Sequence, residues 1–243
     1  MPYPVAAVRG KNYGGASYAN KVLSYSPIAY WPLWEATGAV ATDISGNGYH
    51  GAYTAVTLGQ TGIGDGETCP LFDGTTSFVD IYSVGFINAF DGEKGSVSVW
   101  VKMFNAGVWT DGDNRYFVTL SSNDNKNYIY LRKHGDNNKL YWGYRSNDVL
   151  ETVEKSPISE TGWFHVGITW SLLADKVIYY YNGSQEGATD TTLGTWAEDL
   201  TTTKCTLASV NTTPSSPFYG YLAHCAVWDS ALTPAQMAIL AAV

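Results

Sequence analysis

Period-two alternation of apolar and polar residues is the property that most constrains how this chain can fold. In SVSVWVKM, residues 96–103, the three valines and Met103 lie on one face of an extended segment, and the two serines lie on the other. WFHVGITW, NYIYLRK, KLYWGYR, KVIYYYNG and YLAHCAVW alternate similarly, and loops rich in Asn, Asp and Gly separate them. About a dozen strands at hairpin spacing predict an all-β fold, an antiparallel two-sheet β-sandwich.

The two ends of the chain depart from this pattern. Near the C-terminal end, Thr233 suits the N-cap of one short helix over AQMAILAA, and Pro234 suits its first turn. At the other end, two early prolines and a Gly-Gly pair oppose regular structure, so residues 1–21 are predicted to form an extended N-terminal arm. Residues 22–243 then form one domain.

Charge and composition exclude several classes of partner. The chain of 243 residues has 14 basic and 22 acidic side chains, a net charge of −8, and such a surface repels nucleic acid. No run approaches the length of a membrane span, and no secretory signal is recognisable, which favours folding in a cytoplasm. The three cysteines fit no zinc motif; Cys205 and Cys225 could pair, or all three could be buried thiols.

The stretch DISGNGYHG, residues 43–51, concentrates turn-forming residues directly after the aromatic segment SPIAYWPLWEATG. Asp43 can accept backbone N–H groups in an Asx-turn, and the residues Gly46, Asn47 and Gly48 tolerate positive φ. This composition predicts a tight connection after a buried strand near the start of the domain.

Seven segments occur in an order that resembles the laminin-G-like branch of the concanavalin A-like lectin/glucanase superfamily. They are SPIAYWPLWEATG, DISGNGYHG, LFDGTTSFVDI, SVSVWVK, GWFHVGITW, VIYYYNG and FYGYLAHCAVWDSALTPAQMAIL. The resemblance covers about residues 22–243. It implies a jelly roll of two curved sheets, in which the last strand returns near the first and a short helix follows.

Within that family, the opening segment and its preceding arm look most like single-domain proteins of tailed-phage particles. This implies a non-enzymatic virion protein, made in the host cytoplasm, that joins a capsid or tail as a homo-oligomer or at lattice positions. The arm would then be the docking element. Its candidate docking residues are Tyr3, Val5, Val8, Tyr13 and Tyr18.

Catalysis is not indicated. Glucanases of the superfamily carry the strand motif E-x-D-x-x-E, which places carboxylates on both sides of a glycosidic bond. The acidic clusters DGE at 91–93 and ETVE at 151–154 lack that spacing. His165 and His224 lie opposite the apolar rows of their strands and suit hydrogen-bonded structural roles. We therefore predict no catalytic residues.

One calcium ion is implied by the resemblance, since many laminin-G-like domains bind one through loop oxygens. Asp43 matches the family's aspartate before SGNG and is the candidate ligand, with turn capping as the alternative. The family's acidic residue in the last long strand is replaced here by Ala223 and His224. Asp73, in FDGTTS, is predicted to hold a turn.

A carbohydrate-binding rim is the second binding hypothesis. If residues 115–121, 127–133 and 139–145 are successive strands, the loops WTDGDN and HGDNN lie at the same end of the sheet. A sugar would stack on the tryptophan and bond the polar groups, although these could be ordinary hairpin loops. The predicted rim consists of Trp109, Asp111, Asp113, Asp136, Asn137 and Asn138.

Tyrosines supply a further candidate surface. Tyr179, Tyr180 and Tyr181 are consecutive, so at least one ring faces away from the core. Tyr128, Tyr130 and Tyr141 extend such a face or simply line a sheet. Three functions follow for the chain: a structural interaction protein, a carbohydrate-binding module on the same particle, or, least supported, a glycoside hydrolase.

Overall fold

The computed structural model describes residues 17–136 and 138–243. The candidate docking residues Tyr3, Val5, Val8 and Tyr13 and the rim residue Asn137 lie outside the described residues.

Strands account for most of the regular structure in the described part of the chain. The strands are β1 Ala29–Trp31, β2 Val40–Ala41, β3 Gly51–Thr54, β4 Thr57–Thr61, β5 Thr68–Asp73, β6 Phe78–Asp80, β7 Lys94–Met103, β8 Arg115–Ser121, β9 Tyr128–Lys133, β10 Leu140–Ser146, β11 Val149–Lys155, β12 Phe164–Ser171, β13 Lys176–Tyr181, β14 Ser184–Asp190, β15 Cys205–Leu207 and β16 Tyr219–Trp228. The helices are α1 Tyr18–Leu23, α2 Val84–Ala89 and α3 Pro234–Leu240, with a 3-10 helix at Ala106–Thr110.

Two antiparallel sheets of eight strands each form a sandwich, as the alternation predicts. In the first, called sheet A, the strand order is β14-β13-β12-β7-β16-β5-β4, and β1 also pairs with β16. In the second, called sheet B, the order is β11-β10-β9-β8-β15-β6-β3-β2. Pairing β1 with β16 joins the first strand to the last long strand, as the family resemblance implies.

The main core lies between the sheets and contains the side chains that the alternation assigns inward. In β7 these are the valines at 97, 99 and 101 together with Met103, and each is fully buried. In β12 they are Phe164, Val166, Ile168 and Trp170. Helix α2 closes one end, where Phe86 contacts Trp31 edge-on at 5.4 Å between ring centroids.

The outer face of sheet A carries a second apolar cluster beneath helices α1 and α3. Trp100 and Trp228, which point away from the main core, are covered by Tyr18, Val22 and Met237. Helix α3 begins as predicted, with a capping box formed by Thr233 and the residue three positions later.

The predicted arm boundary requires correction at its C-terminal end. Residues 18–21 lie in helix α1, which Ser17 caps, and do not form part of an extended arm. Tyr18 is only 3% exposed, so it is not available to dock a partner. Its hydroxyl donates to the Leu240 carbonyl at 2.7 Å and accepts from Trp100 Nε1 at 2.8 Å, which fastens α1 to the sandwich.

The three cysteines are all buried and free, so Cys205 and Cys225 do not pair. No helix in the described ranges is long and apolar enough to cross a membrane.

Candidate functional site

The two loops of the predicted rim do meet at one end of sheet B. The backbone N–H of Asn138 donates to the Trp109 carbonyl at 3.0 Å. Lys133, at the end of β9, donates to Asp111 Oδ1 at 2.7 Å and to the Asp113 carbonyl at 2.9 Å. The loop-parity argument therefore places these loops correctly.

Trp109 is not the exposed aromatic that the glycan rim requires. Its side chain is 1% exposed, its Nε1 donates to the Glu160 carbonyl at 2.7 Å, and its ring lies 6.0 Å from that of Phe164. The 3-10 helix at residues 106–110 turns the indole into the core. A sugar cannot stack on this ring, so the tryptophan serves packing.

The acidic residues of the rim are engaged within the chain. Asp111 accepts from Lys133 and pairs with Arg115 at 2.9 Å, while Arg115 also reaches Asp113 at 2.9 Å. Burial alone would raise the pKa of Asp111, but the hydrogen bonds from Lys133 and Arg115 hold the pKa below its ordinary value. Asp136 pairs with Lys139 at 3.3 Å. Asp111 therefore stabilises the loops, whereas the side chains of Asp113 and Asp136 remain 64% and 67% exposed and their role in a glycan rim stays a prediction.

Asp43 forms the turn cap that the sequence offers as the alternative to calcium binding. Its Oδ1 accepts from the N–H groups of Tyr30 and Ser45 at 2.9 and 2.8 Å. Its Oδ2 accepts from the Ser45 hydroxyl and the Tyr49 N–H, both at 2.9 Å. Each carboxylate oxygen has two lone-pair sites, so all four are filled by hydrogen-bond donors.

That hydrogen bonding does not fit a bound cation at Asp43. A calcium ion needs six to eight oxygen ligands, and Asp43 would have to give up N–H partners to supply one. In residues 17–136 and 138–243, no group of three or more His, Cys, Asp or Glu side chains is arranged to hold a metal ion. Calcium binding therefore stays a prediction from the resemblance.

A cluster of aromatic and cationic side chains, all partly exposed except the buried Tyr128, occupies the outer face of sheet B. Register places them together: Tyr116 in β8 is opposite Arg132 in β9, which is opposite Tyr141 in β10. Paired residues of neighbouring strands point to the same face of the sheet. We call this cluster the tyrosine–arginine face; it consists of Tyr116, Tyr128, Tyr130, Arg132, Tyr141 and Arg145.

The rings of this face contact one another closely. Tyr128 and Tyr130 stack with centroids 4.1 Å apart, and Tyr116 meets Tyr130 edge-on at 5.1 Å. The Arg132 guanidinium lies over Tyr141 at 4.3 Å from the ring centroid and at 5.3 Å from that of Tyr116. Such contacts restrict the side-chain rotamers before any ligand arrives.

Gly143 leaves a gap in the side chains of this face. It pairs with Tyr130 across the strands, and a Cβ there would lie 3.0 Å from the Tyr141 ring and 3.3 Å from the Tyr128 ring. The neighbouring rings therefore lean over the glycine.

The tyrosine hydroxyls of the face are neutral groups that can both donate and accept hydrogen bonds. Burial raises the pKa of Tyr128 to about 12, and burial likewise raises the pKa values of Tyr116, Tyr130 and Tyr141 above their ordinary value. Flat rings with neutral hydroxyls at their edges match the two surfaces of a sugar, an apolar ring face and a polar rim.

A separate acidic cleft of about 500 Å³ opens beside helix α2. Trp196 packs over Gly92 in the wall of the cleft. The cleft also brings Asp91 and Glu93 near Asp229, a proximity that the sequence spacing does not reveal. Glu93 and Asp229 are exposed to solvent. A glycosidase acid must stay protonated near neutral pH, which burial normally achieves, so these carboxylates lack that environment.

Both histidines considered in the sequence are buried on the helix-covered side of sheet A. His224 Nε2 lies 2.9 Å from Asp65 Oδ2, and its Nδ1 lies 2.6 Å from the Tyr30 hydroxyl. His165 packs against Trp100 at 5.4 Å, and neither of its ring nitrogens has a hydrogen-bond partner in the described chain. His224 therefore fits the predicted hydrogen-bonded role, whereas His165 is buried without the expected bonds.

Comparison with known proteins was made for both sequence and fold. A family model described as the concanavalin A-like lectin/glucanases superfamily matches residues 73–238. No curated protein sequence matches the chain.

Several solved structures share the fold at low sequence identity. Domain 4 of AbnA, an extracellular arabinanase from Geobacillus stearothermophilus in complex with arabinotriose, aligns with a TM-score of 0.61 and 20% identity over 89% of this chain and 98% of that domain. The botulinum neurotoxin serotype D ligand binding domain in complex with N-acetylneuraminic acid gives 0.67 and 15% over 93% of this chain and 52% of that one. The serotype D binding domain gives 0.64 and 16%, with 89% and 51% coverage. The chain thus spans about half the length of the neurotoxin domains.

Proposed function

The chain belongs to the concanavalin A-like lectin/glucanases superfamily, whose model matches more than half of its length, and from this membership we propose that it is a non-catalytic carbohydrate-binding module. The observation that carries the proposal is the tyrosine–arginine face. Its four rings, of which Tyr128 is buried and the other three are partly exposed, lie on three adjacent strands of sheet B, where strands hold them more firmly than loops would.

Fold neighbours are consistent with this role. The arabinanase domain is in complex with arabinotriose, and one neurotoxin domain is in complex with N-acetylneuraminic acid. At this level of identity they share the fold only, so the position of the ligand on this chain is argued from its own side chains. The tyrosine–arginine face is our candidate because Tyr116, Tyr130 and Tyr141 are partly exposed, whereas Trp109 of the predicted rim is buried.

Absence of catalysis is proposed on two grounds. The strand motif of the glucanases is missing from the sequence. The carboxylates that do share a cleft, including Glu93 and Asp229, face solvent. Neither has the apolar surroundings that would keep a general acid protonated.

The finer assignment to a phage particle stays a prediction from the sequence resemblance. It requires an arm that docks onto a capsid or tail, and Tyr3, Val5, Val8 and Tyr13 would carry that contact. This role is compatible with carbohydrate binding, because a protein on a particle surface can attach the particle to a glycan-coated cell.

The test of carbohydrate binding is Tyr130→Ala. Tyr130 stacks on Tyr128 and meets Tyr116, so its removal takes away the centre of the platform. We expect binding to the best glycan on an oligosaccharide microarray to weaken about thirtyfold, since losing an aromatic anchor costs ~2 kcal/mol. Affinity would then be measured by titration calorimetry with that oligosaccharide.

Tyr221→Ala is the matched control, because Tyr221 is a partly exposed tyrosine beside a lysine on the opposite sheet. It should bind like the unaltered protein. Retention of no glycan by the unaltered protein would refute the proposed function, and equal binding by both variants would refute its assignment to the tyrosine–arginine face. Melting curves of the three proteins establish that each one is folded.

A further inference from the structure

We propose that the glycan recognised by the tyrosine–arginine face carries carboxylate groups and that Arg132 recognises them. This inference rests on the proposed function and specifies the ligand class for the same site.

Arg132 has a positive charge that no ion pair within the described residues neutralises. In the described residues no carboxylate lies within 4.0 Å of its guanidinium; its Nη1 donates instead to the neutral amide oxygen of Asn114. The other arginines in the described ranges differ: Arg115 pairs with two aspartates, and Arg145 pairs with Asp148 at 2.8 Å. In a chain of net charge −8, acidic partners were available, and this position lacks one.

The guanidinium is held ready for a planar anion. It lies over the rings of Tyr141 and Tyr116, and the amide of Asn114 fixes one of its nitrogens. Asn114 is itself held, because it also accepts the Gly135 N–H at 2.8 Å. A carboxylate matches the donor geometry of an arginine and can accept two parallel hydrogen bonds. Pre-ordering reduces the entropy lost on binding.

Nearby negative charges are neutralised within the chain, so they oppose an anionic ligand only weakly. Glu154, opposite Tyr141 on β11, pairs with Lys139 at 3.3 Å. Asp148 is engaged by Arg145. His134 also lies at this end of the face, with its ring 5.8 Å from that of Tyr141, and it carries no negative charge.

The length of the tyrosine–arginine face indicates an extended ligand. Arg132 is level with Tyr141, and Arg145 lies four residues further along β10, about 14 Å away at the rise of an antiparallel strand. Tyr130 and Gly143 lie between them. An oligosaccharide lying along these strands would place one acidic sugar at Arg132 and its following rings on the tyrosines.

The experiment compares ligands that differ only in their carboxylates. The first pair is a galacturonic acid tetramer and its carboxyl-reduced form; the second is sialyllactose and its carboxyl-reduced form. These pairs distinguish uronic from sialic acids. Calorimetry would be run with the unaltered protein, Arg132→Gln, Arg132→Lys and the control Lys102→Gln, in which a cation over the Tyr221 ring on sheet A is removed.

We expect the unaltered protein to bind at least one acidic ligand about tenfold or more tightly than its neutral partner. Arg132→Gln should remove that preference, Arg132→Lys should retain only part of it because the planar fork is lost, and Lys102→Gln should change nothing. Raised salt should weaken only the acidic ligand's binding.

Equal binding of the acidic and neutral members by both the unaltered protein and Arg132→Gln would overturn this inference and leave the proposed function standing. The inference would likewise be overturned, with the proposed function left standing, if the microarray retained only neutral glycans and Tyr130→Ala weakened their binding. Retention of no glycan at all would instead refute the proposed function itself.

Discussion

Asp43 and Asp73 illustrate what an aspartate does before a glycine-rich turn in this chain. Asp73 Oδ1 accepts the N–H groups of Thr75 and Thr76 at 2.7 and 2.8 Å, much as Asp43 accepts those around its own turn. Although burial alone would raise the pKa of Asp73, these hydrogen bonds hold the pKa well below its ordinary value. Both turn roles were predictable from sequence, because donors such as Ser45 and Thr75 lie two residues after the carboxylate.

Trp109 and Asp111 show where residue-level prediction ends. The sequence places them correctly in one loop, but exposure depends on what that loop packs against. The indole partner, the Glu160 carbonyl, and the buried cation Lys133 are both distant in sequence. Neither contact leaves a local pattern, so a buried tryptophan and an ion-paired aspartate resembled a binding rim.

His165 provides a pH-dependent prediction at this scale. Complete burial lowers its pKa from 6.5 to about 3, so it is neutral in the folded protein and protonates more readily once unfolded. Because the pKa of His165 is lower in the folded than in the unfolded protein, the folded protein has its full stability above pH 6.5 and loses stability as the pH falls below that value. Between pH 7 and pH 5 it should remove about 2 kcal/mol from the free energy of unfolding.

The comparison is with His165→Leu, measured by urea unfolding at each pH. Leucine fills a similar volume without leaving unbonded ring nitrogens, so the variant should fold and should lose less stability between pH 7 and pH 5. Parallel pH profiles for the two proteins would show that His165 does not control this range.

At the level of elements, α3 and α1 differ in how much of their structure the sequence reveals. Helix α3 has a local signal, with Thr233 as N-cap and Pro234 in the first turn, and it forms as predicted. Helix α1 has six residues and no apolar repeat, and its stabilising contacts come from Trp100 and the C-terminal helix. A helix this short depends on tertiary packing, so local sequence does not reveal it.

Tyr18→Phe tests how α1 is fastened. The substitution removes the hydroxyl that bonds the Leu240 carbonyl and leaves Trp100 Nε1 buried without its acceptor. We expect a loss of about 2 kcal/mol in the free energy of unfolding, because an unsatisfied buried donor retains its desolvation cost. Tyr25→Phe, a partly buried tyrosine just after the helix, should cost far less. An unchanged midpoint in Tyr18→Phe would mean that apolar packing alone holds α1.

For the molecule as a whole, the cysteines offer a probe of cooperative unfolding. Cys69, Cys205 and Cys225 are fully buried in three different strands, and burial raises the pKa of each thiol, that of Cys69 to about 12. Thiolates are the reactive form, so a thiol reagent should label none of them in the native protein at pH 8. In denaturant, all three should become labelled along one transition. Labelling of one cysteine well before the others would indicate separately unfolding parts.

The overall fold was predictable because its signal is repeated along the chain. Several long strands alternate in sequence in the same way, so an error at a single position, such as Trp109, does not change the two-sheet prediction. The tyrosine–arginine face was only partly predictable: Tyr128, Tyr130 and Tyr141 were considered, but Tyr116 and Arg132 join them through cross-strand register. Register depends on pairing between strands and cannot be obtained from one strand at a time.

Helices α1 and α3 cover sheet A, and the tyrosine–arginine face lies on sheet B. The described chain enters the domain at Ser17, the cap of α1, and so on the side away from those rings. An attachment made through the helix-covered side of sheet A would leave the tyrosine–arginine face exposed. Several copies attached side by side in this way would present their binding faces in one direction. They would bind one polymeric glycan at several points, so that weak individual affinities combine into strong overall binding.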